Sequence, residues 1–177
     1  MPHGPDDRTL ASRQADERET LTSMLDYYRE TAIWKCSGMS DEDLRKVIVP
    51  SGWSVLGMVQ HLAYVEQWWF QELFKGVPEK ELPPVPWTDD DPDADFRIGP
   101  DQSTEGVLDF YKECCERSRA ITKEASLDDI TAAWPEDRPP ERRPNLRWIL
   151  VHLTEETARH AGHMDVAREL IDGSTGE

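Results

Sequence analysis

Three residues with metal-binding side chains follow one another at four-residue steps near the end of the chain: His152, Glu156 and His160. A four-residue step advances an α-helix by ~1.1 turns, or about 6 Å, so the three would lie one above the other on a helix. Apolar residues such as Leu153 and Ala161 recur beside them. A carboxylate and two imidazoles beside a buried face are costly unless something satisfies them, and a metal ion would do so.

A further histidine lies in a separate apolar stretch. His61 falls beside Met58 and Leu62, so the spacing places it on the inward face of another helix. In helical bundles, metal sites form from side chains that project inward from facing helices. His61 with Glu156 and His160 would give two histidines and one carboxylate, a set that leaves open positions for water or substrate. Such a site could lower the pKa of a bound water or thiol and generate a nucleophile near neutral pH.

The residues alone leave other interpretations open. His152 is a rival ligand because it flanks Glu156 one turn earlier, and His163 lies near the same face, where it could orient a ligand or a bound water. A single inward histidine is usually a hydrogen-bonded core residue, and Glu-x-x-x-His is a common pair on ordinary helices. The same residues could therefore form a satisfied polar network in a helical binding or structural module without turnover.

Periodicity and capping residues predict four long helices, and no segment has a strong strand signal. The helices are expected over Asp16–Cys36, Ser54–Lys75, Ser103–Glu124 and Asn145–Asp172, with Gly173 as the last C-cap and a short helical turn at Ser40–Asp43. The proline-rich stretch 76–102 is expected to be an irregular, solvated loop. Its acidic run, 88–95, lacks the glycine and glutamate positions of a calcium-binding EF-hand.

Four helices with one short and two long connections predict an all-α fold, a four-helix bundle. The long crossover between the second and third helices allows these two to run parallel. The expected organisation is a flexible N-terminal arm over 1–14, one bundle domain over 15–173 and a C-terminal tail over 174–177.

The net charge and the cysteine count limit the possible binding partners and the cellular compartment. The net charge of −16 argues against nucleic acid and anionic membrane surfaces. No apolar run is long enough for a membrane span, and the first residues do not resemble a signal peptide. Three cysteines, an odd number, give no disulfide framework, which favours reduced thiols in the cytoplasm. None of them is a convincing nucleophile.

The seven tryptophans are compatible with a homodimer, although they could equally belong to the core.

The chain resembles the DinB/YfiT-like superfamily of metalloenzymes, specifically a subgroup without an assigned function. The resemblance covers nearly the whole chain and is most specific in Ser54–Glu66 with Trp69, Asp91–Phe96 and Glu155–Asp165. It implies a four-helix bundle of up-down-down-up order. The superfamily's usual ligands are one histidine in the second helix and a His-x-x-x-His pair in the last, so the resemblance places ligands at His61, Glu156 and His160 and makes His152 a neighbour.

The carboxylate at the middle position departs from the three-histidine pattern and is similar to the mycothiol-dependent maleylpyruvate isomerase branch. The resemblance implies a divalent-metal enzyme, with zinc or nickel, that acts on a small-molecule substrate. The expected reaction is S-transfer from a low-molecular-weight thiol such as mycothiol, or an isomerisation that such a thiol assists. Metal-dependent hydrolysis and a non-catalytic metal-binding or interaction module are the alternatives.

Overall fold

The chain is all-helical. The computed structural model describes Arg8 and residues 12–176, and this part contains no β-strand, which confirms the all-α part of the expected fold class. Most of the predicted arm, 1–14, lies outside the described residues. The α-helices are α1 (Glu17–Cys36), α2 (Asp41–Arg45), α3 (Val55–Glu66), α4 (Thr104–Glu124) and α5 (Leu146–Asp172). Within the described part, no helix is both long enough and apolar enough to cross a lipid bilayer.

Each α-helix begins after a polar residue whose side chain accepts a hydrogen bond from a backbone N–H in the first turn. This bond satisfies a donor that has no partner within the helix and fixes the starting residue. The capping residues are Asp16, Ser40, Ser54, Ser103 and Asn145. Gly173, with φ of 78°, adopts the left-handed conformation that ends α5 as predicted.

The long helices pack mainly in two pairs, α1 with α5 and α3 with α4. Two clusters of buried apolar side chains lie between them, one around Leu56 and Tyr111 and the other around Phe70 and Leu153. α3 also contacts α5, which brings the helix that carries His61 against the helix that carries Glu156 and His160.

One ion pair lies deep within this apolar interior. The Arg29 guanidinium donates to both carboxylate oxygens of Glu66 over 2.7 and 2.6 Å, and the two residues are only 4 % and 1 % exposed. The pair ties the middle of α1 to the end of α3. The Arg29 guanidinium also donates to Asp26 over 2.8 Å. Because both charges of the Arg29–Glu66 pair are removed from water, loss of either partner would be costly.

The second predicted helix differs from expectation, because α3 continues as a π-helix over Gln67–Phe74. The wider turn is seen in the bond from the Lys75 N–H to the Phe70 carbonyl, five residues earlier. Gln67 is buried here, and its side-chain amide donates to the Pro83 carbonyl over 2.9 Å. The irregular helix therefore also anchors the start of the long loop.

The long loop after this helix contains no α-helix or strand, as expected, but only part of it is solvated. It contains two 3-10 turns, Glu79–Glu81 and Ala94–Phe96, and the second packs against α3. Asp95, at the end of the acidic run, is buried. The expectation of a wholly solvated loop is therefore wrong at this turn, because α3 provides polar partners for it.

Candidate metal centre

The predicted ligand residues meet where α3 faces α5. His61, Glu156 and His160 each offer a donor atom, and all three atoms lie within 4.8 Å of one another. The Glu156 Oε1 atom is 3.4 Å from His61 Nε2 and 3.0 Å from His160 Nε2. The four-residue step on α5 stacks Glu156 and His160, and the α3–α5 contact brings His61 to them.

These distances fit a shared metal ion. Donor atoms bonded at ~2.1 Å to one ion lie about 3.0–3.4 Å apart at octahedral or tetrahedral angles. The two separations from Glu156 Oε1 fall in that range, and all three donor atoms lie within 4.8 Å of one another. Two imidazole nitrogens and one carboxylate oxygen are also a donor set that zinc and other divalent transition metals accept.

Hydrogen bonds within the cluster shift the pKa values of Glu156 and His61. Hydrogen bonds from His160 and His61 hold the pKa of the Glu156 carboxyl well below its usual range. Burial alone would lower the pKa of His61, but hydrogen bonds to Asp95 and Glu156 outweigh it and raise that pKa. A metal ion at this point would replace the Nε2 protons, so uptake would release protons.

Asp95 and Phe96 are site residues that sequence reasoning did not find. Asp95 Oδ2 accepts from His61 Nδ1 over 2.7 Å, on the side of the ring away from Glu156. Phe96 stacks on the same imidazole, with ring centroids 4.0 Å apart. The signal in the sequence is that both residues belong to Asp91–Phe96, one of the stretches in which the family resemblance is most specific.

His163 and His152 occupy different surroundings. His163 Nδ1 lies 3.4 Å from His160 Nδ1, next to the proposed ligand, and its supporting role stays a prediction. Partial desolvation, the adjacent His160 and the Arg159 cation lower the pKa of His163. His152 instead packs against two indole rings that also contact each other, with ring centroids 5.0 Å from Trp69 and 4.9 Å from Trp148.

The chain's own thiols lie outside the cluster. Cys36, Cys114 and Cys115 are free and buried. Burial raises the pKa of both Cys36 and Cys114 to about 12, and it raises that of Cys115 as well. Protonated, enclosed thiols are poor nucleophiles. The sequence-based view that no cysteine acts as the nucleophile agrees with these surroundings.

An all-helical chain that brings two imidazoles and a carboxylate together across a helix interface is typical of helical metalloproteins. A family model described as Mycothiol-S-transferase matches residues 20–173, and the chain belongs to this DinB/YfiT-like family. No curated protein and no solved structure matches the chain. The resemblance seen in the sequence is thereby confirmed at the level of the family.

Proposed function

We propose that this protein is a divalent-metal-dependent S-transferase that uses a low-molecular-weight thiol, such as mycothiol, against a small electrophile. His61, Glu156 and His160 are the proposed metal ligands. The observation that carries the proposal is their convergence, with Glu156 Oε1 at 3.4 and 3.0 Å from the two Nε2 atoms. Membership of the Mycothiol-S-transferase family supports the choice of thiol.

The donor set matches what thiol transfer requires. A divalent ion, zinc or nickel, supplies positive charge that lowers the pKa of a thiol near it. The chain's residues offer neutral imidazole nitrogens and a carboxylate that stays ionised, because its pKa is depressed. Three protein ligands leave room for a further group, as catalytic sites require.

The reacting sulfur in this proposal comes from outside the chain. All three cysteines are buried with raised pKa values, so none supplies a thiolate near neutral pH. The small thiol releases its proton to solvent, its sulfur forms a bond to the electrophilic carbon while the bond from that carbon to its leaving group breaks, the leaving group departs as an anion, and the product carries the thiol as a thioether.

We also propose the order of the helices, the cellular location and the oligomeric state. The two helix pairs and the long crossover support a four-helix bundle of up-down-down-up order over 15–173, with a short tail after it. Buried free thiols support the cytoplasmic location predicted from the sequence. A homodimer stays a prediction.

Metal analysis of purified protein and of single variants tests the ligand set. Wild-type protein reconstituted with zinc or nickel should hold about one equivalent, and His61→Ala and His160→Ala should lose it while remaining helical by circular dichroism. His152→Ala is the matched control, because it removes an imidazole from α5 outside the cluster and should retain the metal.

Activity is then measured as loss of free thiol in the presence of a small aromatic electrophile. Mycothiol should be consumed by the loaded wild-type protein and by His152→Ala, and not by the two ligand variants. Full metal content in His61→Ala and His160→Ala would exclude this ligand set. Metal binding without thiol consumption would favour a binding module or a hydrolase instead.

A further inference from the structure

The side chain of Asp95 has no evident role in the fold. It is 3 % exposed, Oδ2 accepts from His61 Nδ1 over 2.7 Å, and Oδ1 has no hydrogen-bond partner among the described residues. Burying a carboxylate with so few partners is unfavourable. The unfavourable free energy of burying this carboxylate is explained if Asp95 has to hold the His61 imidazole in one tautomer.

The turn that carries Asp95 is fixed by backbone contacts, independently of the carboxylate. The Gln60 side chain donates to the Asp95 carbonyl over 2.7 Å and to the Arg97 carbonyl over 3.2 Å, and Gln102 donates to Gln60. Gly57 leaves space for the Phe96 carbonyl, where a Cβ atom would lie at 1.9 Å. The turn would therefore stay in place without the carboxylate.

The contact determines which nitrogen of His61 faces the cluster. An ionised carboxylate accepts hydrogen bonds and cannot donate them, so Nδ1 must carry the proton when it bonds to Asp95. In the neutral ring the lone pair then lies on Nε2, the atom that faces Glu156. Phe96 stacks on the ring at 4.0 Å and restricts its rotation.

We propose that Asp95 is a positioning residue for the site, which holds His61 as the Nδ1–H tautomer and directs Nε2 toward the metal. This inference rests on the proposed function, because it presupposes that His61 is a ligand. A ligating histidine that donates its other N–H to a carboxylate is oriented and made more basic, and loss of such a partner typically weakens metal binding 10- to 100-fold. Asp95 is separated from the other acids of the loop by its burial, since Asp91 and Asp93 are exposed.

The test compares Asp95→Ala and Asp95→Asn with Asp93→Asn, which removes the same charge two residues away on the exposed side of the turn. Zinc and nickel affinities are measured by competition with a chromophoric chelator. Asp95→Ala should bind the metal about 10- to 100-fold more weakly. Asp95→Asn keeps an acceptor oxygen and should lose less, and Asp93→Asn should match wild type.

Nitrogen-15 chemical shifts of the imidazoles, assigned with His61→Ala, provide a readout that a merely structural residue would not change. In metal-free wild type, at a pH above the raised His61 pKa where the ring is neutral, His61 should appear as the Nδ1–H tautomer, and in Asp95→Ala it should become a mixture of tautomers. A lower melting temperature with an unchanged tautomer and unchanged affinity would make Asp95 structural and overturn the inference. Wild-type protein that binds neither metal would overturn the proposed function as well, so the two failures are distinguishable.

Discussion

The substitution Gly57→Ala tests how closely the loop and α3 must approach for the site to form. A Cβ at this position would lie 1.9 Å from the Phe96 carbonyl oxygen, whereas real Cβ atoms essentially never approach closer than 3.0 Å. The loop backbone must therefore retreat by about 1.1 Å or more. A shift of that size would lengthen the 2.7 Å bond between Asp95 and His61 beyond the usual hydrogen-bond range.

Two opposing terms determine the effect on stability. Forcing a methyl group into a filled space costs about 1–3 kcal/mol, and replacing glycine by alanine in a helix returns about 0.5–1 kcal/mol. Taking the middle of each range, the net loss is about 1 kcal/mol, or a melting temperature lower by about 2–4 °C for a chain of this size. Gly162 provides the control, because it lies in α5 with no atom within 4 Å of an added Cβ.

Thermal denaturation and zinc titration would be run on both variants. Gly162→Ala should be as stable as wild type or more stable, with unchanged zinc affinity, whereas Gly57→Ala should be less stable and bind zinc about tenfold more weakly. If Gly57→Ala gained stability like Gly162→Ala and bound zinc normally, the close approach of the loop would be irrelevant to the site, and the reasoning would be wrong.

Two further predictions concern the interior. Glu66→Ala should destabilise the protein by up to about 3–5 kcal/mol in urea denaturation, because it removes the buried carboxylate that accepts from two Arg29 nitrogens and leaves only the partly exposed Asp26 as a partner for that charge. Glu113→Ala, which breaks an exposed pair with Arg117, should change little; similar losses for both would contradict a special cost of burial. Iodoacetamide should modify native Cys36 and Cys114 slowly near pH 7, and the rate should increase as the pH rises toward their pKa values of about 12. Urea-unfolded protein should react at ordinary thiol rates. Rapid labelling of the native protein near pH 7 would refute the assigned burial.

The helix boundaries could be predicted because short-range interactions determine them. Ser103 and Asn145 cap helices whose first residues lie one position later, and Gly173 ends α5 where the pattern predicted. A capping side chain bonds to an N–H two or three residues away, so the sequence window contains both partners. The same holds for the stacking of Glu156 and His160, which needs only helical geometry.

The remaining features depend on partners distant in sequence. Asp95 is buried by contact with His61 and Gln60, more than thirty residues earlier, and the acidic run gives no hint of which member turns inward. The π-helix after Glu66 keeps its apolar residues inside, so their spacing did not distinguish it from a continued α-helix. The contact of His61 with α5 was predicted from the apolar faces of the two helices, and the role of His61 as a metal ligand remains a proposal.

The division of the long helices into two pairs has a mechanical consequence. His61 comes from the α3–α4 pair, and Glu156 and His160 come from the α1–α5 pair. An ion shared among them would cross-link the two halves at their seam. Any fluctuation that separates the halves would break coordination, so occupancy would suppress such opening and add to the free energy of unfolding as ligand concentration rises above its dissociation constant. Removal of the ion by a chelator would then loosen the whole molecule as well as the pocket.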